Sequence, residues 1–341
     1  MAITSFGGEY RFLSNFHGAE DGDTPLIIDL DGVIYPSTEN AYQASKCAVL
    51  ADRVQFVNCT ANESKQKGRK VKLRSDWESY KFTVMFMLLQ QKFSDRNPEL
   101  KKALLDTRRE QLVEGNYWHD NVWGSCTCAK CGNRGENRLG VMLMNIRADL
   151  HQQAFLDVGD LLIGASTIGF VGSRSCTEDQ LKHLGSVAGW AACVGKKGVS
   201  GGCGGADQRA ANKFVEYASA GNFHVHLPYI KYTHVAPEGC TFDVWNKLPQ
   251  EVRTDALWLA SQPSKFKYMT DKYPALFGRN ALIVMESDVL VYAINGDSTG
   301  TNHDIAIAND IGVPTINVSD EDTWRIVRMF LRYEKDRMVE E

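Results

Sequence analysis

Thr167-Ile168-Gly169-Phe170-Val171-Gly172-Ser173-Arg174 decides how the second half of the chain folds. Its apolar core suits one buried strand, and the Gly-Ser pair that follows is a turn signal. A helix is expected from Glu178 to about Val194, begun near Thr177. The same phrase returns downstream. Gly198-Val199-Ser200 is a short strand running into Gly201-Gly202-Cys203-Gly204-Gly205-Ala206, and residues 207–218 read as helix. Further strands are expected at 223–227, 281–285, 289–293 and 313–318, and Gly300-Thr301 opens a helix through Asn309. Strands alternating with helices imply an α/β domain with a mainly parallel sheet and helices on both faces. Three glycine-bearing turns fall where strands hand over to helices. Open α/β sheets bind ligands at that edge, and helix N-termini there favour phosphate. Tight connections need glycine too, but three such turns together favour a nucleotide site. Residues 229–278, rich in Trp, Pro and Lys, read as an insertion over the sheet edge.

Upstream, residues 1–152 read as a separate domain, with 151–162 as the connection and 163–335 as the second domain. The chain has 341 residues, 43% hydrophobic and 23% charged, which is ordinary globular composition and enough for two cores. A net charge of −4 opposes a broad nucleic-acid footprint. Nine cysteines, an odd count, do not make a secreted disulfide framework. The start lacks a basic, then apolar, leader, and no apolar run approaches the ~20 residues that span a bilayer. A cytoplasmic protein with reduced thiols and no membrane partner is expected.

In the first half, Gly7 to Phe16 suggests a strand entering a turn, with Arg11 and Asn15 as ligand-facing candidates. Asp31-Gly32 between β-rich flanks signals a hairpin. Pro36, Ser37 and Thr38 then start a helix whose buried side would carry Ala41, Ala44, Ala48 and Leu50. Glu39, Gln43 and Lys46 fall along one stripe of it. That trio supplies a general base, an amide hook and an amine nucleophile. Spacing alone fits a solvated glutamate at the helix start better. The run Lys67 to Trp77 offers Arg69 for a phosphate and Trp77 as a wall. Residues 77–93 are amphipathic core helix, and 98–107 another short helix.

Gly115 to Gly124 packs Trp118, His119, Asp120 and Trp123 between glycines, too polar for a core strand and too aromatic for a linker. Cys126, Cys128 and Cys131 follow closely. With His119 they could ligate zinc, but a second complete pair is missing, and free thiols in a Gly-rich insert are preferred, with no cofactor required. Asn137 and Gly140 fit a tight turn before the helix that ends this half.

These residues carry a resemblance. Phe12-Leu13-Ser14-Asn15-Phe16, Thr38 to Lys46, Trp118-x-Asp120-x-x-Trp123-Gly124 and Gly135-x-Asn137-x-Leu139-Gly140-x-x-Leu143-Met144-x-x-Arg147 resemble the NADAR family, in family order. The resemblance implies an α-rich α+β fold and an N-glycosidase that cleaves ribosides: ADP-ribosylated guanine in nucleic acid or nucleotide, or a phosphoribosylated riboflavin precursor. It implies that Glu39 and Lys46 stand at the reaction centre, with a lysine imine to the opened ribose. Asp120 would join them on the ribose hydroxyls, and Trp77, Trp118 and Trp123 would stack on the base or adenine.

The second half resembles the SLOG superfamily, Rossmann-like α/β domains that include DNA-processing protein A and lysine-decarboxylase-like hydrolases. The matching residues are Gly172, Ser173, Arg174, Gly201, Gly202, Gly204, Asp207, Arg279-Asn280, Gly300 and Thr301. The loop 295–301 lacks the hydrolases' proline, and the helix after it has Asp304 where they carry glutamate. Nucleotide binding is therefore preferred to a second hydrolytic site. A non-catalytic sensor of NAD-derived nucleotides is the alternative for the whole chain. The fusion also resembles phage-encoded proteins, which would act in the host cytoplasm, and the second domain suggests a homo-oligomer.

Overall fold

The computed structural model describes residues 2–20, 22–219, 221–232 and 237–340, with the side chain of residue 340 left aside. Residues 233–236 of the expected insertion lie outside them. By its internal contacts the chain divides into two compact units, Met1–Gln152 and Gln153–Glu341.

In the first unit, β1 (Ala2–Ile3) pairs in parallel with β4 (Gln111–Leu112), and β5 (Gly115–Asn116) with β6 (Ser125–Cys126). β2 (Ile28–Leu30) and β3 (Val33–Tyr35) form the expected hairpin. Asp31 and Gly32 make its turn at φ 54° and 83°, the left-handed pair that matches strand twist. The helices are α1 (Thr38–Ala44), α2 (Ala61–Gly68), α3 (Trp77–Lys92), α4 (Pro98–Asp106) and α5 (Arg138–Gly164). Leu13, Ile28, Tyr35, Phe56, Leu88, Leu89 and Leu143 fill a core among them.

Three expectations fail here. Gly8–Leu13 is a 3-10 helix rather than a strand; its mixed polar and aromatic residues alternate too loosely to hold a ladder. α1 stops at Ala44, so Ala48 and Leu50 are exposed. Residues 151–162 belong to the 27-residue α5 rather than to an irregular connection; Gly159 and Gly164 weaken a helix without breaking it.

The second unit is built on six parallel strands in the order β10-β9-β8-β7-β11-β12. In chain order they are β7 (Thr167–Gly172), β8 (Lys197–Ser200), β9 (Phe223–Leu227), β10 (Thr241–Val244), β11 (Val289–Ala293) and β12 (Thr315–Asn317). The helices are α6 (Glu178–Cys193), α7 (Ala206–Tyr217), α8 (Gln250–Ala260), α9 (Lys267–Lys272), α10 (Pro274–Met285), α11 (Thr299–Ile311) and α12 (Glu321–Glu340). Thr177 caps α6 with a reciprocal bond from Gln180. Separate apolar cores, one around Phe170, Phe214 and Phe223 and one around Leu282 and Ile307, show helices on both faces.

Residues 281–285, expected as strand, end α10. A short apolar run is ambiguous by itself, and Pro274 at the first turn with Phe277 one turn on makes it helical. The expected insertion supplies edge strand β10 as well as α8 and α9. The sheet reverses direction of winding at β7, between β8 and β11, so a crevice opens at their carboxyl ends. Among the described residues, no helix is long and apolar enough to cross a membrane.

Candidate active site

Ser37 Oγ accepts the Asn40 backbone N–H at 3.2 Å and starts α1. All seven residues of α1 are buried, polar ones included. The Asn40 amide explains how: it donates to the carbonyls of Phe56 at 2.8 Å and Cys59 at 2.7 Å, drawing a neighbouring loop over the helix. Glu39 is consequently 6% exposed. The solvated glutamate that spacing favours is thereby excluded.

Glu39 Oε1 accepts the Gln43 amide at 2.8 Å, one helical turn on. Burial raises the Glu39 pKa against that bond and against the charges of Lys65 and Lys46. Lys46, half-buried just past the helix end, is fixed by the Arg74 N–H donating to its carbonyl at 2.9 Å. Its Nζ lies 5.7 Å from the ring centres of both Tyr42 and Trp77. Burial lowers the Lys46 pKa, Glu39 opposes, and Arg69 and Lys65 reinforce. An acid held towards its protonated form thus neighbours an amine held towards its neutral form.

The rings form a connected set. Tyr42 meets Trp77 at 5.2 Å and Trp123 edge-on at 5.6 Å, and Trp123 meets Phe82 at 5.2 Å. Asp120 shapes this side: its Oδ1 accepts the N–H of Val122 at 3.1 Å and of Trp123 at 2.9 Å. Asn116 grips the Asp120 backbone at both ends, accepting its N–H at 3.2 Å and donating to its carbonyl at 2.7 Å. Buried acceptors are left open around the acid. Asn15 Oδ1, Thr38 Oγ1 and Gln43 Oε1 have no hydrogen-bond partner. Such groups cost about 1–3 kcal/mol each when unpaired, and a polyhydroxylated ligand or water would satisfy them. Gly68 allows the crowding, because a Cβ there would collide with the Gln43 amide.

Of the residues singled out by sequence, Glu39, Gln43, Lys46, Trp77, Asp120 and Trp123 come together, and the backbone carbonyl of Asn15 accepts the Glu39 N–H at 2.9 Å. Arg69 is exposed but near enough to act on Lys46. Arg11, Trp118 and Asn137 are placed differently. Arg11 pairs with Asp23 at 2.9 Å. Trp118 is 55% exposed and stands edge-on to Tyr117. Asn137 spends its amide on the Leu112 carbonyl and the Glu114 N–H, which makes it a positioning residue. Sequence reasoning missed Tyr42, Lys65 and Glu114. Burial, then the Asp120 charge, raises Glu114 to about 7. Lys65 could have been found: it is one turn before Arg69 on the face of α2 that also carries Gly68.

In the second unit a cavity of about 450 Å³ opens at the carboxyl edge of the sheet. Gly172, Ser173, Arg174, Asp207, Asn280, Gly300 and Thr301 line it. Gly201, Gly202 and Gly204 form the turn behind it. Gly201 must lack a side chain because its carbonyl accepts from the buried Arg279 guanidinium. Arg279 also donates to Cys203 Sγ at 3.2 Å and lies 4.0 Å from Asp207. Burial raises the pKa of Asp304, on the same wall, well above the usual carboxylate range, and its Oδ1 lacks a partner. Cys203 and Tyr232, whose OH lies 2.8 Å from that sulfur, were not expected there.

A family model described as "NADAR domain" matches residues 5–151. The protein named "N-glycosidase YbiA" of Shigella boydii serotype 4 is 34% identical over 127 residues, 36% of this chain and 75% of that protein. The maize protein named "Riboflavin biosynthesis protein PYRR, chloroplastic" is 33% identical over 135 residues, 35% of this chain and 20% of that protein. Among solved structures, DNA processing protein A from Helicobacter pylori, described for its single-stranded DNA binding mode, aligns at a TM-score of 0.34 and 16% identity, covering 51% of this chain and 83% of that one. The family match and the named relatives define an enzyme of the N-glycosidase class. The chain belongs to the NADAR family, through residues 5–151.

Proposed function

We propose that the first unit hydrolyses the N-glycosidic bond of an ADP-ribosylated base, ADP-ribosyl-guanine in nucleic acid or nucleotide, or of a related phosphoribosyl compound. The buried Glu39 carboxyl beside the Lys46 amine carries this reading. Such a reaction needs a proton for the departing base and a nucleophile for C1′. The neutral Lys46 amine attacks C1′. The C1′–N bond breaks, its electron pair goes to the base nitrogen, and protonated Glu39 supplies the proton. The sugar ring then opens at C1′–O4′, one of the two N–H protons of the attached amine passing to O4′ and the other staying on a protonated imine. Water adds to the imine while Glu39 takes a proton, and the free sugar and Lys46 separate. The aromatic set offers a face for the base, and the open acceptors of Asn15 and Gln43 suit ribose hydroxyls. Borohydride added during turnover of ADP-ribosyl-guanosine should leave a reduced sugar adduct on Lys46, read by peptide mass spectrometry. Turnover that proceeds normally in Lys46→Ala would overturn the imine route.

The second unit, in the same proposal, is a SLOG-like module that binds a nucleotide at the cavity walled by Arg279 and by the starts of α7 and α11. Its position at the winding reversal, next to a buried guanidinium, supports this. Titration calorimetry should show ADP-ribose or a mononucleotide binding the wild type. Arg279→Leu should weaken that binding by at least ~10-fold, as loss of a charge-assisted contact would. Equal affinity in the variant removes Arg279 from the site.

A further inference from the structure

The geometry points to a structural zinc site made by His119, Cys126, Cys128 and Cys131, which clasps the loop that carries Asp120 and Trp123. His119 Nδ1 lies 3.3 Å from Cys131 Sγ, 3.5 Å from Cys128 Sγ and 3.9 Å from Cys126 Sγ. One ligand atom from each of the four residues lies within 4.8 Å of all the others. Zinc with bonds of about 2.3 Å to sulfur and 2.0 Å to nitrogen would set tetrahedral edges of roughly 3.5–3.8 Å, close to these separations.

Free thiols explain the cluster less well. A neutral imidazole nitrogen has one lone pair or one proton to share, so it satisfies one of three converging sulfurs. A cation satisfies all four donors together. The surrounding backbone is also built for it. His119 holds φ at 68°, Gly132 at 61° and Asn133 at 58°. A non-glycine residue in that region needs something to hold it there. Between the thiols the chain makes a tight knuckle: Cys131 and Gly132 donate N–H groups to the Cys128 carbonyl at 3.1 and 2.9 Å, and Asn133 donates to the Cys126 carbonyl at 3.1 Å. Outside the donors, Asn121 donates to Cys131 Sγ at 3.2 Å and accepts the Cys126 N–H at 3.1 Å. Partners of that kind orient metal ligands and temper the thiolates. Three sulfurs and one imidazole select zinc over oxygen-seeking cations.

The consequence is local. His119 directly precedes Asp120, whose carboxylate caps Trp123. Zinc would tie this loop to β6 and to the turn after it, and would fix one wall of the aromatic set. The site does not depend on which riboside the enzyme cleaves.

Elemental analysis of protein purified under reducing conditions should find one zinc per chain. Exchange with cobalt should give thiolate charge-transfer and tetrahedral ligand-field absorption. Cys128→Ser with Cys131→Ser should lose both signals, whereas Cys193→Ser, at an exposed cysteine elsewhere, should keep them. Wild-type protein that carries no zinc, takes up neither zinc nor cobalt after reduction, and melts at the same temperature with and without chelator would overturn the site. That outcome is read on the wild type, so a variant that fails to fold does not decide the matter.

Discussion

Glu39→Gln slows riboside turnover by at least ~10²-fold while the substrate still binds, the usual range for removing a positioned proton donor or acceptor. The amide occupies nearly the same volume and can still accept from Gln43, the partner that holds the carboxyl at 2.8 Å. What it cannot do is release a proton to the departing base or take one from water. Stability should hold or improve, because a neutral amide has no charge to keep out of water and Glu39 is 6% exposed. The decisive comparison is single-turnover rate against substrate affinity on ADP-ribosyl-guanosine and on a phosphoribosyl amine. A variant within about three-fold of wild type on every cleaved substrate would mean that this carboxyl is a structural group. Loss of affinity at unchanged rate would move Glu39 from proton transfer to ribose binding.

How much of this was legible in the residues differs between the two units. The parallel sheet was readable because β7 and β11 are short apolar runs and all of β7, β8 and β11 lead into glycine-bearing turns. The strand wrongly expected in this unit, 281–285, is also an apolar run, and only its distance from Pro274 marks it as helix. In the first unit the stripe Glu39-Gln43-Lys46 was visible, but its burial was not. Burial of α1 depends on the Asn40 side chain reaching the carbonyls of Phe56 and Cys59, sixteen and nineteen residues away. No local pattern encodes a contact of that range. Glu114 escaped for the same reason. It lies between the two-residue strands β4 and β5, flanked by Val113 and Gly115, and its environment is assembled by Asp120 and by Asn137 from the far side of the cysteine turn. The cysteines were visible as a group, but only the fold brings His119 within 3.9 Å of all three sulfurs.

Lys92 is expected to make the first unit's stability climb with pH. It lies on the buried side of α3 among apolar neighbours, where the helical pattern expects core. Its Nζ donates to the Ser14 carbonyl at 2.7 Å and stands 5.1 Å from the Phe93 ring centre. Burial lowers its pKa from 10.5 to about 7, with the Asp23 charge opposing. His17, itself lowered by burial and then by Lys92, is the other titrating neighbour. The unfolded chain therefore binds a proton at Lys92 that the folded chain lacks between about pH 7 and 10.5, and stability rises across that window. Below about pH 7 both states are protonated, and the folded state carries the full cost of a buried ammonium. The displacement is worth on the order of 5 kcal/mol. Lys92→Met keeps the aliphatic stem and removes the charge, at about 1 kcal/mol for the Ser14 carbonyl left without its donor. The variant should unfold at higher denaturant concentration than wild type at pH 6–7, and the two midpoints should converge towards pH 10. His17 would titrate higher in the variant, which proton NMR of its ring can follow separately. A wild-type midpoint that is flat between pH 7 and 10, with Lys92→Met less stable throughout, would show that the ammonium is solvated in the folded protein and that its contact with Ser14 is a net stabilising one.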